Sequence, residues 1–143
     1  MTRTTQVLLA SAAVALFAPA AFGRVTIRAV GPGLGLTSAA FADGKTIPTR
    51  YTCDGANVSP PLSWSSTPEG TKSFALVCYD PDAPRGVFHH WAIFDLPGDR
   101  DTLREGVAKG AQTDNGRQAV NDFGEASYRG PCPPPGNGVH HYH

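Results

Sequence analysis

Sixteen glycines and thirteen prolines punctuate the 143 residues, and beyond residue 35 they leave no apolar stretch of helical period longer than about two turns. Proline removes a backbone donor and blocks a helix interior, so the chain must be assembled from short extended pieces joined by turns. The β-type runs at residues 47–52, 61–64, 73–79 and 90–96, and from 139 to the end, are expected to be strands. One short helix or helical turn is expected over residues 101–107, with Asp99 or Asp101 as N-cap and Gly106 or Gly110 near its stop. A chain of this length has room for one core and no second domain.

The N-terminus has a different character. Arg3 precedes an apolar run from Val7 to Phe17, and Ala21-Phe22-Gly23 offers a small-x-small cleavage site, with Ala18-Pro19-Ala20 as a competitor. Residues 1–23 are therefore read as a secretory signal peptide, 24–35 as a flexible glycine-rich lead-in, and 36–143 as the domain. The apolar run of about eleven residues falls short of the roughly twenty needed for a stable membrane span. The expectation is export, to a periplasm or to the medium.

An oxidising compartment allows one disulfide among three cysteines. Cys78 lies inside a β-type run, where a free thiol behaves as a small hydrophobe, whereas Cys53 and Cys132 lie in turn-rich segments and are the expected pair. Twelve basic residues balance twelve acidic ones, and loss of Arg3 with the signal leaves eleven against twelve. No basic footprint for nucleic acid is present.

All five histidines fall into two clusters, His89-His90 and His140-His141-Tyr142-His143. If the last segment is extended, its side chains alternate, so His140 and Tyr142 share one face while His141 and His143 share the other. Asp80 and Asp82 close the apolar run of residues 74–79, where a buried strand emerges into a loop and carboxylates can face a cleft. The run from Gly130 to Gly136 carries four prolines, which restrict dihedrals and suit a stiff pocket wall.

The motif Asp80-Pro81-Asp82-Ala83-Pro84, followed by His90-Trp91 and Asp95-Leu96-Pro97-Gly98, resembles a hallmark of the phosphatidylethanolamine-binding (Raf-kinase-inhibitor-like) family. A second hallmark is matched by Tyr128-Arg129-Gly130-Pro131-Cys132-Pro133-Pro134 and Gly138-Val139-His140-His141-Tyr142. Tyr51-Thr52-Cys53-Asp54-Gly55 and Ser59-Pro60-Pro61-Leu62-Ser63-Trp64 resemble the bacterial branch, and the likeness runs from Leu36 to the last residue. The resemblance implies a mainly β fold of two antiparallel sheets with few short helices. It also implies a pocket formed by Asp80, His90, His140 and Tyr142, with the Gly130 and Pro131 backbone in its wall. The implied function is non-enzymatic binding of a small anionic or phosphorylated ligand, phosphate or phosphoethanolamine, with a regulatory role and no cofactor. Two departures stand out: His141 replaces an arginine common in the family, and the chain stops at His143, where relatives continue with further core elements.

Other readings have weaker support. Five histidines and neighbouring aspartates could serve a metal-dependent enzyme, but no His-Glu-x-x-His or Cys-x-x-Cys is present. Some members of the family act as protein-interaction or inhibitor modules, and a protein partner is an alternative expectation. A serine hydrolase is disfavoured because no Gly-x-Ser-x-Gly occurs.

Overall fold

The computed structural model describes residues 33–143, so the expected signal peptide and nearly all of the lead-in lie outside the described residues. Two antiparallel sheets face each other. One has the order β1 (Gly35–Thr37), β2 (Leu62–Ser65) and β5 (Thr102–Leu103). The other contains β3 (Ser73–Asp80), β4 (Phe88–Pro97), β6 (Gln112–Thr113) and β7 (Gly116–Gln118), in the spatial order β3-β4-β7-β6. Every pairing is antiparallel.

The core follows from the apolar runs. Leu62 and Trp64 alternate inward on β2, Trp91, Ile93 and Leu96 come from β4, and Leu103 and Tyr128 complete the cluster. The Trp91 indole donates to Gln118 Oε1, and the Gln118 amide donates to the carbonyls of Ala108 and Gly110, whereas the buried Trp64 Nε1 has no hydrogen-bond partner among the described residues. For the paired groups, this removes the penalty of burial.

Two irregularities in the β3–β4 ladder set the direction of β4 side chains. Phe74 pairs with Leu96 and Leu76 with Ile93, so β4 carries an extra residue there, and Asp95 in that interval has a φ of 56°. Further along, Cys78 pairs with Trp91 but Tyr79 pairs with His89, which leaves His90 as a bulged residue. A bulge shifts the phase of alternation. His90 and Trp91 are consequently both buried although they are adjacent.

Three local expectations are corrected. Residues 47–52 contain no strand but a 3-10 turn, Thr49–Tyr51, which starts after Pro48 and closes with the Tyr51 N–H donating to the Pro48 carbonyl. Residues 101–107 form no helix: Leu103 pairs with Leu62 on β2 and Gly106 has a φ of 74°, so sheet pairing wins over the local capping signal. The last residues are extended without forming a strand, apart from a bridge at Tyr142 and two reciprocal 2.9 Å backbone hydrogen bonds between Tyr79 and His143.

Between the sheets lies an apolar groove of about 470 Å³, walled by Leu36, Trp64, Phe74, Leu76 and Tyr79 among others. Cys78 also lines it, and burial pushes its thiol up to about 12.

Candidate functional site

Asp80 is the last residue of β3, and the chain turns immediately after it. One carboxylate oxygen, Oδ1, accepts the Asp82 N–H at 2.8 Å and shapes the turn, while Oδ2 accepts from His140 Nδ1 at 2.7 Å. This joins the end of β3 to a residue sixty positions later. His90, placed by the bulge, donates from Nδ1 to the Arg129 carbonyl at 2.8 Å. A carbonyl can only accept, so the proton on this ring is assigned to Nδ1.

Asp80, His90 and His140 are each 3% exposed and Tyr142 is 5% exposed, yet all four line one pocket of about 460 Å³. Phe88 and Phe123 close one side, the latter in edge contact with Phe88 at 4.8 Å and with His90 at 5.3 Å between ring centroids. The Tyr142 ring meets His90 edge-on at 5.2 Å. Arg85 lies in the lining as well. His140 Nε2 and the Tyr142 hydroxyl are buried and have no hydrogen-bond partner within the protein. Burial in the first place, and the Asp80 carboxylate in the second, push the Tyr142 phenol well above its ordinary value. Burial holds the His90 imidazole below its ordinary value, against the opposing effects of the Arg129 carbonyl and Asp80.

The opposite wall is formed by Cys132, Pro133 and Pro134. Cys53 and Cys132 are joined by a disulfide, and the Cys53 N–H donates to the Pro131 carbonyl at 3.0 Å. Tyr128 adds a 2.7 Å bond from its hydroxyl to the Tyr51 carbonyl. Gly130 and Pro131, expected in the wall, stand behind it: neither lines the pocket, and Pro131 faces the apolar groove. The Gly130 N–H is committed to Asn57 Oδ1, and a Cβ at residue 130 would come within 2.0 Å of the Tyr51 carbonyl oxygen. Glycine is needed there for close backbone packing.

The alternation expected of residues 140–143 holds without a regular strand. His141 turns outward, where its Nδ1 is 2.6 Å from Asp82 Oδ2, and His143 stacks on Tyr79 at 5.5 Å. The imidazole and backbone N–H of His141 hold the Asp82 carboxyl below its usual range. His89 likewise lies outside and pairs with Asp122 at 3.1 Å. Among the described residues, no three His, Cys, Asp or Glu side chains are grouped as metal ligands. No described helix is long and apolar enough to cross a membrane.

Cys132–Pro134 fall in the proline-rich run expected as a pocket wall, whereas Phe88 and Phe123 are lining residues that the sequence reading did not assign. Phe123 sits on a loop organised by Asn121, whose Oδ1 accepts the N–H groups of Phe123 and Glu125 and whose amide donates to the carbonyls of His90 and Ser127. The turn-forming run Asn121-Asp122-Phe123-Gly124 was the available signal.

The sequence pattern of the phosphatidylethanolamine-binding protein family matches residues 37–143, which include every one of these pocket residues. The chain belongs to the phosphatidylethanolamine-binding protein family. It is 51% identical over 110 residues to a UPF0098 protein of Methanothermobacter thermautotrophicus, covering 76% of this chain and 72% of that protein. A UPF0098 protein of Aquifex aeolicus is 48% identical over 105 residues, or 73% of this chain, and the match spans 61% of that relative's length. Among solved structures, the family member YbcL of E. coli superposes with a TM-score of 0.69 at 36% identity, covering 76% of this chain and 72% of YbcL. The family homologue CT736 of Chlamydia trachomatis gives 0.64 at 39% identity, covering 73% and 69% respectively.

Proposed function

We propose that this family member binds a small anionic, phosphorylated ligand in the Asp80–His90–His140–Tyr142 pocket and does not transform it. The observation that carries this reading is the pair of buried, unpartnered polar atoms, His140 Nε2 and the Tyr142 hydroxyl, in a pocket open to a small molecule. Buried polar groups are as a rule hydrogen-bonded, so two left open in one concavity suit a ligand with several oxygens. The Tyr142 phenol stays protonated and donates. Arg85 contributes positive charge to the same lining.

Binding without turnover is favoured by what the lining contains. Its residues include no Ser, Thr or Lys, and its one cysteine, Cys132, is held in a disulfide. The nucleophilic types that remain are Asp80, His90, His140 and Tyr142; Asp80 accepts from Asp82 and His140, His90 Nδ1 is committed to the Arg129 carbonyl, and the Tyr142 phenol stays protonated. The Asp80–His140 bond serves to orient the imidazole. In this reading the protein acts after export, in a periplasm or outside the cell, as a ligand-responsive or regulatory binder.

The test is calorimetric titration of the purified protein with inorganic phosphate and with phosphoethanolamine. Saturable one-to-one binding, weakened by His140→Ala and Tyr142→Phe and accompanied by unchanged ligand on analysis, is the expected result. Absence of saturable binding to either compound overturns the proposal, and consumption of the ligand overturns its non-enzymatic part.

A further inference from the structure

The outer edge of β3 carries backbone groups that the described residues leave unpaired. β4 occupies one edge of β3, and in an antiparallel strand alternate residues turn their N–H and C=O to the same side. Tyr79 turns its pair to the other edge, where both groups bond to His143 at 2.9 Å. Ala75 and Val77 have the same parity as Tyr79, and beyond the β3–β4 ladder no described residue bonds to their backbone. Residues 73–78 carry no charge and no proline, and the extra residues at both bulges lie on β4. The usual devices that keep another strand off a sheet edge are therefore missing from this stretch.

The adjoining groove adds side chains to the same demand. Leu36 comes from β1, the edge of one sheet, and Phe74 and Leu76 come from β3, the edge of the other, so the groove lies between two sheet edges. Trp64 lines it and is 7% exposed, and its indole N–H has no partner among the described residues. A buried donor of this kind calls for an acceptor. An extended peptide brings all three requirements together: N–H and C=O groups for the edge of β3, a carbonyl for the indole, and apolar side chains for the groove.

We propose that residues 24–30 of this chain are that strand, running antiparallel to β3 along its open edge and closing the groove with Val25, Ile27 and Ala29. The segment joins the fold at the right place, since it shortly precedes Gly33, and Leu34 already lines the groove. Its direction follows from two contacts. Trp64 meets Phe74 at 5.4 Å between ring centroids, and Gly33 lies beyond Trp64, where a Cβ on it would stand 3.9 Å from Ser66. The chain leading back from Gly33 therefore meets β3 at its Phe74 end and runs toward Tyr79. Gly33 has a φ of 87°, which glycine adopts without strain where the chain crosses from one sheet to the other.

Pattern and length agree with this placement. Arg24-Val25-Thr26-Ile27-Arg28-Ala29 alternates polar with apolar residues, as a strand with one buried face does. At about 3.3 Å per residue, residues 24–30 extend over about 23 Å, enough to pass Ala75 and Val77 and stop short of His143. Thr26 and the two arginines then face solvent and give the edge the charged outer surface that β3 itself lacks.

The experiment is amide hydrogen exchange on the intact chain, read residue by residue by NMR, with sedimentation to fix the oligomeric state. In the wild type the Ala75 and Val77 amides are expected to exchange at least about tenfold more slowly than in an unstructured chain. Ile27→Asp should abolish that protection, while the Tyr79 amide, bonded to His143, stays protected and serves as the internal control. Thr26→Asp, on the opposite face of the segment, should leave Ala75 and Val77 protected. Free exchange at Ala75 and Val77 in the wild type would overturn the proposal. So would protection that survives Ile27→Asp, and protection that appears only in a dimer would assign the edge to a second copy instead. Equal losses in Thr26→Asp and Ile27→Asp would overturn the facing on which the proposal rests.

Discussion

The His–Asp pocket and the inter-sheet groove are nearly equal in size, about 460 and 470 Å³, and β3 contributes to both. The body of β3, Phe74 to Tyr79, walls the groove, while its final residue, Asp80, enters the pocket. The groove offers apolar side chains and little directional chemistry, so it can favour contact but cannot choose among polar partners. The pocket offers two imidazoles and a carboxylate held by bonds to backbone and to one another, and a phenol whose hydroxyl has no partner among the described residues. The contrast shows that enclosed volume says little about function until the chemistry around its unpaired polar atoms is read. His140 Nε2 is open in the pocket, the Trp64 indole N–H is open beside the groove, and the open Tyr142 hydroxyl belongs to a residue that lines both, so the two concavities differ in the His–Asp chemistry around those atoms.

The largest effect expected from testing this contrast comes from the covalent tie behind the pocket. Cys53 and Cys132 are separated by 79 positions, and opening a loop of that size by Cys53→Ser should lower stability by roughly 4 kcal/mol on the chain-entropy account. Urea unfolding would measure it. An unchanged midpoint would mean that the proline-rich wall is held by its hydrogen bonds alone.

Next in size is the difference between the two faces of the C-terminal segment. His140→Ala should weaken phosphate binding about tenfold, equivalent to about 1.4 kcal/mol, whereas His141→Ala should change it by less than about twofold. Equal losses would break the assignment of inward and outward faces.

A third test uses pH. Burial depresses the folded-state value of His90, so its neutral form contributes stability that is fully present above the unfolded value near 6.5 and is lost as pH falls toward the folded value. Urea midpoints measured from pH 7.5 to pH 5 should fall, and His90→Gln should flatten that slope. A slope identical in the variant would place the titrating group elsewhere.

The smallest effect belongs to the groove. Val77 lines it but is 48% exposed, so Val77→Lys should alter stability by no more than about 0.5 kcal/mol and phosphate affinity by less than about twofold. A larger loss of affinity would show that the two concavities are coupled through β3.

Much of this arrangement was legible in the sequence, for reasons that differ by segment. β2, β3 and β4 coincide closely with apolar runs because burial of one or both faces leaves a direct imprint on composition. His140 and Tyr142 were separable from His141 and His143 because any extended backbone alternates its side chains, whether or not it pairs as a strand. The segment at residues 101–107 was misread because its capping signal is local, whereas Leu103 pairs with Leu62, which is distant in the chain. Gly130 and Pro131 belong to a recognisable motif, but a motif does not say which side of a wall each residue occupies. Phe123 enters the pocket on a loop fixed by Asn121, and no periodicity marks such a residue.

The bulge at His90 has a consequence for how this site tolerates change. Trp91 and His90 are both buried only because one more residue lies on β4 than on β3 between the pairs Cys78–Trp91 and Tyr79–His89. The site is therefore sensitive to the number of residues in this stretch as well as to their identity. Losing one residue between Phe88 and Trp91 would let the ladder run on unbroken, with its apolar core positions intact, while the ring now hydrogen-bonded to Arg129 would be absent or turned outward. Length changes that a sheet edge would absorb without loss of fold are, at this point, the changes that would remove the site.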